Sequence, residues 1–196
     1  MEPPTTTFKL LQGARSGDED ALNRLFDMNR RRLGVLVHFK LGGRTRGFAE
    51  VEDVVQETYL RAFRGLDQFH YQTPGSFMRW LASIADHVIV DRVRYEGRER
   101  RAGEEVPFRS ASNPQGPEPA VTTTPSRVYA RQEALDRLLA QLQELPEDYR
   151  QVILMAKIEG LTTAEIAERL GKSREAVALL VFRAVKRFRA VCEASS

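Results

Sequence analysis

Residues 161–191, LTTAEIAERLGKSREAVALLVFRAVKRFRAV, read as two helices joined by a tight turn, and the fold is read outward from that pair. Thr162 with Glu165 three positions later forms a capping box, Gly171 closes the first helix and Ser173 caps the second. On a helical wheel Val177, Leu180, Val181, Ala184, Phe188 and Val191 share one side of the second helix, which makes them its core face. Leu179 lies nearly opposite Val177, beside Arg183, Lys186 and Ala190, with Ala178 between the faces. Two helices joined this way present the second one to a DNA major groove, although antiparallel hairpins in plain helical bundles share the pattern. Leu179 is therefore a thymine-methyl contact, a protein contact or an isolated surface leucine.

The rest of the chain carries the same period. Asp18 or Asp20 caps a helix predicted to run to about Phe39, with Ala21, Leu22, Leu25, Phe26, Leu33, Leu36 and Val37 on its apolar side. GGRTRG (42–47) interrupts it, and its arginines touch either upstream phosphate or nothing. A helix over about 51–66 buries Val51, Val54, Val55, Thr58, Ala62 and Leu66 and exposes Asp53, Gln56, Glu57, Arg61 and Arg64. After the loop DQFHYQTPG (67–75), a long helix begins near Ser76 and reaches about Arg101. Phe77 and Trp80 share its spacing with Leu81 and Ile84 and read as core. Helices at about 127–143, 146–159, 162–170 and 173–194 follow. With no strand-like alternation anywhere, the predicted class is all-α.

Between them, AGEEVPFRSASNPQGPEPAVTTTPS (102–126) holds five prolines and no apolar period, the composition of a flexible linker. The expected organisation is two small helical domains, 1–102 and 127–196, joined by a linker over 103–126, the C-terminal domain holding the helix-turn-helix.

Net charge is only +3, but basic and acidic residues are segregated. Arg92, Arg94, Arg98, Arg100 and Arg101 crowd one segment, Arg174, Arg183, Lys186, Arg187 and Arg189 another, while Glu50, Glu52, Asp53 and Glu57 form an acidic group. Local fields of opposite sign suit more than one partner; the plainer alternative is a set of solvated helix faces. No apolar run reaches the roughly 18 residues that a membrane span needs, and MEPPTTTFK lacks the pattern of a secretion signal. A single cysteine, Cys192, provides neither an internal disulfide nor a metal cage, which fits a cytoplasmic protein without metal or cofactor.

Four further blocks complete the picture: EDVVQETYLRAF (52–63), FMRWLASIA (77–85), VDRVR (90–94) and LPEDYRQV (145–152). With the helix-turn-helix, and in this order and spacing, they resemble bacterial RNA polymerase sigma factors of the extracytoplasmic-function group. That resemblance implies a subunit that binds core RNA polymerase, through the clamp helices of its largest subunit and through its flap, and directs it to promoters. It assigns polymerase docking to Asp53, Gln56, Glu57 and Arg61, where an acidic and amide face suits a basic protein better than DNA. It places minus-10 recognition and melting on the 67–75 loop and the long helix, with Phe69, His70, Tyr71, Arg79, His87, Asp91, Arg92 and Arg94 as contacts to unstacked, single-stranded DNA. Minus-35 duplex reading falls to Ser173, Arg174, Glu175, Ala178, Leu179, Arg183, Lys186 and Arg187. An anti-sigma protein is a further partner that the resemblance admits.

The chain departs from the family at three sites, one of them the insertion-like GGRTRG stretch at 42–47. Asp86 and His87 stand where members usually carry Arg-Asn, and Ala178 and Leu179 where they often carry lysine and other polar residues. Two rival classes fit less of the chain. A stand-alone helix-turn-helix repressor or activator leaves the first domain without a task. An enzyme lacks a phosphate-cradling glycine loop, and its three histidines, His38, His70 and His87, are scattered with no Glu-x-x-His pair.

Overall fold

The computed structural model describes residues 6–42, 48–102 and 125–194. Arg44 and Arg46 of the glycine-arginine stretch, and 103–124 of the expected linker, lie outside the described residues. The chain forms α1 (Thr6–Arg15), α2 (Glu19–Lys40), α3 (Phe48–Gly65), α4 (Ser76–Ala102), α5 (Pro125–Gln143), α6 (Glu147–Ile153), α7 (Thr163–Leu170) and α8 (Arg174–Ala194), with no strand among the described residues. The all-α expectation holds. Helix α5, expected from about 127, starts at Pro125, since proline suits a first helical turn, where its missing N–H has no partner to lose.

Two interactions set the entry to α2. Asp18 caps it by accepting from the Ala21 amide at 3.0 Å, and α1, unforeseen in the sequence, packs along its first turns. A Cβ on Gly13 would sit 2.9 Å from that of Ala21, so only glycine lets α1 approach this closely. The Arg15 side chain at the end of α1 donates to the Leu66 carbonyl at 2.9 Å and also to that of Phe69, pinning the loop that leads into α4.

All seven apolar α2 residues anticipated above are buried, but so are Asn29, Gly34 and Val35. Amphipathic spacing predicts one buried face, whereas α2 packs against α1, α3, α4, α5 and the turn after α6, and past its first turn its exposed stripe is confined to Arg24, Asp27, Met28 and Arg31. Asn29 is tolerated there because its amide donates to the Leu25 carbonyl at 2.8 Å. The six residues expected to be inside over 51–66, five on α3 and Leu66 just after it, are all buried, and the Thr58 hydroxyl is satisfied by the Val54 carbonyl at 2.7 Å. Tyr59 adds a ring stacked on Phe26 at 4.4 Å and a hydroxyl that donates to the Phe26 carbonyl, and burial pushes its ionisation far above the ordinary range.

In the second half α6 widens into a π-helical turn over Leu154–Glu159, closed by Gly160 at φ 78°. The capping box at α7 is present in both directions. The Thr162 hydroxyl accepts from the Glu165 amide at 3.3 Å, and the Glu165 carboxylate accepts from the Thr162 amide at 2.7 Å, which holds that carboxyl below its usual range. Thr162→Ala is expected to lower stability by about 1 kcal/mol, read from denaturant unfolding, while Thr162→Ser leaves it nearly unchanged. Equal losses for the two variants would show that the cap contributes nothing.

A single hydrophobic cluster runs from Leu10 to Val191, and Leu135 of α5 lies 3.4 Å from where a Cβ on Gly34 of α2 would stand.

Candidate functional site

The turn between α7 and α8 follows from three residues. Gly171 takes the left-handed conformation at φ 60°, the Lys172 amide reaches back to the Ala167 carbonyl at 3.0 Å, and the Ser173 hydroxyl caps α8 through the Ala176 amide at 3.1 Å. Val177, Ala184 and Val191 anchor α8 in the core, with Leu180, Val181 and Phe188 partly buried beside them. The opposite face is open: Ser173, Arg174, Glu175, Ala178, Arg183, Lys186 and Arg187 are all exposed, as is Leu179 at 48%. Phe182, which the sequence analysis passed over, is more exposed still, at 67%. The same wheel that placed the core residues would have found it, since it falls between Ala178 and Glu175 on the outward face. Leu179 is thus no isolated leucine but half of an apolar pair ringed by Arg183 and Lys186.

On the first group, α3 and α4 lie side by side and cross-link their polar faces. The Arg61 guanidinium is 2.8 Å from Glu57 on its own helix and 2.8 Å from Asp91 on α4, and Arg92 of α4 stands 4.0 Å from Asp53. Arg61 holds the Asp91 carboxyl below its usual range. Asp91 and Arg92, named above for minus-10 DNA, pair with α3 at Arg61 and Asp53, beside Gln56 and Glu57. The reason is geometric, because α4 presents these two side chains toward opposite charges one helix away.

The aromatic residues of the 67–75 loop divide in the same way. Phe69 is only 7% exposed, stacked on Trp80 at 4.8 Å and edge-on to Phe77 at 5.5 Å, so its ring is occupied by the core and is not free for a base. Phe77 and Trp80 are core-packed as their spacing implied. Tyr71 is half-buried with Phe8 of α1 against its ring at 5.4 Å. His70 is exposed. Farther along α4, His87 and Arg94 lie two turns apart on one exposed face, with Val90 and Val93 exposed between them. Asp86, one of the departures noted above, is paired with Lys40 of α2 at 2.7 Å. Arg79 turns toward the second helical group. Among the described residues no cluster of histidine, cysteine and carboxylate side chains is arranged to hold a metal, and no helix is long and apolar enough to cross a membrane.

A family model described as ECF sigma factor matches residues 5–194. The chain belongs to the ECF sigma factor family. It is 30% identical over 180 residues to the ECF RNA polymerase sigma factor BldN of Streptomyces coelicolor, a match that covers 91% of this chain and 62% of BldN. It therefore spans less than two thirds of that relative's length. To the ECF RNA polymerase sigma-E factor of Escherichia coli it is 26% identical over 184 residues, covering 94% of this chain and 93% of the relative. The solved structure of CnrH in complex with the cytosolic domain of CnrY covers 98% of this chain and 100% of CnrH, at 25% identity and a TM-score of 0.46. In this ECF sigma factor the Asp86–Lys40 pair ties α4 to α2.

Proposed function

We propose that this protein is a dissociable promoter-specificity subunit of bacterial RNA polymerase, which docks on the core enzyme, reads promoter DNA and starts transcription there. What supports the reading is the family match over residues 5–194. Its working parts are the organisation 1–102, 103–126 and 127–196, with the first domain docking and melting and the last reading the minus-35 element. The polymerase supplies the chemistry, so the subunit is itself no enzyme; strand opening draws on the capture of unstacked bases. Cytoplasmic residence follows from that partnership, and an anti-sigma protein is proposed as a further partner.

Each surface has a proposed task. The α3–α4 face of Asp53, Gln56, Glu57 and Arg61, joined by Asp91 and Arg92, docks on the clamp helices of the largest polymerase subunit, while the flap contacts the second domain. His70, His87 and Arg94, with Arg79 once released, meet the minus-10 single strand, and Val90 and Val93 add apolar area beside it. The exposed face of α8 enters the major groove, Phe182 joining the set named from the sequence.

Asp53→Lys is the test of docking, because Asp53 is exposed and its contact with Arg92, at 4.0 Å, is loose. Losing a surface pair costs stability at most about 1 kcal/mol, whereas a cation facing a basic partner costs binding on the order of 1 kcal/mol or more. In a titration against core polymerase the variant is expected to bind more weakly and to melt at nearly the wild-type temperature. Unchanged affinity removes α3 from the docking surface, and failure of the wild type to bind core polymerase at all removes the functional proposal.

A further inference from the structure

Helix α1 has no task among the surfaces described so far, yet two of its side chains hold the chain after α3 at points on either side of His70. Near its C-terminal end the Arg15 guanidinium donates to the Leu66 carbonyl from Nε at 3.2 Å and from Nη2 at 2.9 Å, and Nη2 also donates to the Phe69 carbonyl. Nearer its start Phe8 sits edge-on to the Tyr71 ring at 5.4 Å. Phe8 and Arg15 are about two turns apart on the helix, roughly 10 Å. Helix α1 thus acts as a splint along Leu66–Tyr71. The splint is itself seated on the core, through buried Leu10 and Leu11 and through the close approach of Gly13 to Ala21.

The bonded carbonyls are those that the local backbone leaves exposed to competition. The short 3-10 turn Leu66–Gln68 ends with the Phe69 amide donating to the Leu66 carbonyl at 3.3 Å, after which Phe69 is extended, at φ −71° and ψ 129°, and its own carbonyl leaves the helical ladder. A planar guanidinium reaches two such carbonyls in one fixed geometry, which an ammonium on a flexible stem does not. Phe69 is held further by its ring, packed on Trp80 and Phe77. His70 is therefore exposed between two residues whose positions are set. A loop without these restraints has to be ordered when a base enters it, and fixing the backbone of even one residue weakens binding on the order of tenfold.

We propose that Arg15 is a positioning residue for base capture: it holds the backbone over 66–69 in the form that presents His70 to an unstacked minus-10 base, with Phe8 steadying Tyr71 beyond it. The inference rests on the minus-10 reading above.

The test uses holoenzyme, the full chain bound to bacterial core polymerase. The probes are a single-stranded minus-10 oligonucleotide, selected from a randomised pool by the wild-type holoenzyme, and copies of it with an abasic nucleotide at each position in turn. The captured base is the one whose removal weakens wild-type binding most. Arg15→Ala is expected to lower the preference for that base over the abasic copy by about tenfold, with binding to the abasic copy unchanged. Arg15→Lys, which keeps the charge but not the fork, is expected to fall between the two. A merely structural loss, or a direct phosphate contact by Arg15, moves both probes together. Arg15→Ala holoenzyme that keeps the wild-type preference, whatever its absolute affinity, therefore overturns the inference. Should Arg15→Ala not fold, Arg15→Lys decides: a reduced preference supports the positioning role and an undiminished one overturns it. If wild-type holoenzyme binds every abasic copy as well as the intact strand, no base is captured, so the minus-10 reading fails and the role of Arg15 falls with it.

Discussion

Phe69→Ala is expected to destabilise the protein by about 3–5 kcal/mol, the cost of emptying a packed aromatic site. The ring is stacked on Trp80 and edge-on to Phe77, so its removal leaves both neighbours facing a cavity, and it loosens the loop that Arg15 fixes through the Phe69 carbonyl. His70, the next residue, is exposed. His70→Ala is therefore expected to change stability by no more than about 0.5 kcal/mol while reducing strand opening on a promoter. Denaturant unfolding of both variants, beside a permanganate footprint of melted thymines, separates the two roles. If Phe69→Ala proves nearly neutral for folding and severe for opening, the ring belongs to DNA and the packing described here is not the one that matters in the complex.

The second large effect is on minus-35 discrimination. Arg174 starts α8 with its side chain exposed, where a groove-reading helix places its base contacts. Arg174→Ala is expected to cost on the order of 1–3 kcal/mol at the preferred sequence and to relax choice at that position. Lys186, about three turns on, suits the phosphate backbone; Lys186→Ala is expected to weaken all sequences alike and to flatten the salt slope by about one. Phe182 and Leu179 behave in a third way. They carry no charge, so Phe182→Ser and Leu179→Ser are expected to lower preference at A·T positions, through lost thymine-methyl contact, with the salt slope unchanged. Binding to a randomised duplex pool at two salt concentrations reads every variant. Identical sequence profiles for wild type and Arg174→Ala would refute base reading by this end of the helix.

What could be read from the sequence was whatever depends on neighbours within a turn or two. The Thr162–Glu165 box, the Gly171 turn and the buried stripes of α3 and α8 are local, because capping bonds and the 3.6-residue period are set by a residue's own helix. The family blocks are likewise short contiguous runs, on α3, on α4 and at α6, so the family of the chain was legible too. Tertiary structure decided everything that depends on which helix lies alongside. Val35 and Asn29 are buried because α2 is packed by elements of both helical groups, a fact that its own amphipathic pattern cannot encode. Helix α1 is held by Leu10 and Leu11 in the core, by its close approach at Gly13 and by Arg15. Phe69 and His70 are adjacent in sequence and chemically suited to the same ligand, yet one ring fills the core and the other faces solvent, because only one of them points at Trp80. Asp91, Arg92 and Arg79 looked alike as groups for DNA. The first two found opposite charges on α3 and the third found a carbonyl some eighty residues away, partners that only the packing of separate helices brings within reach.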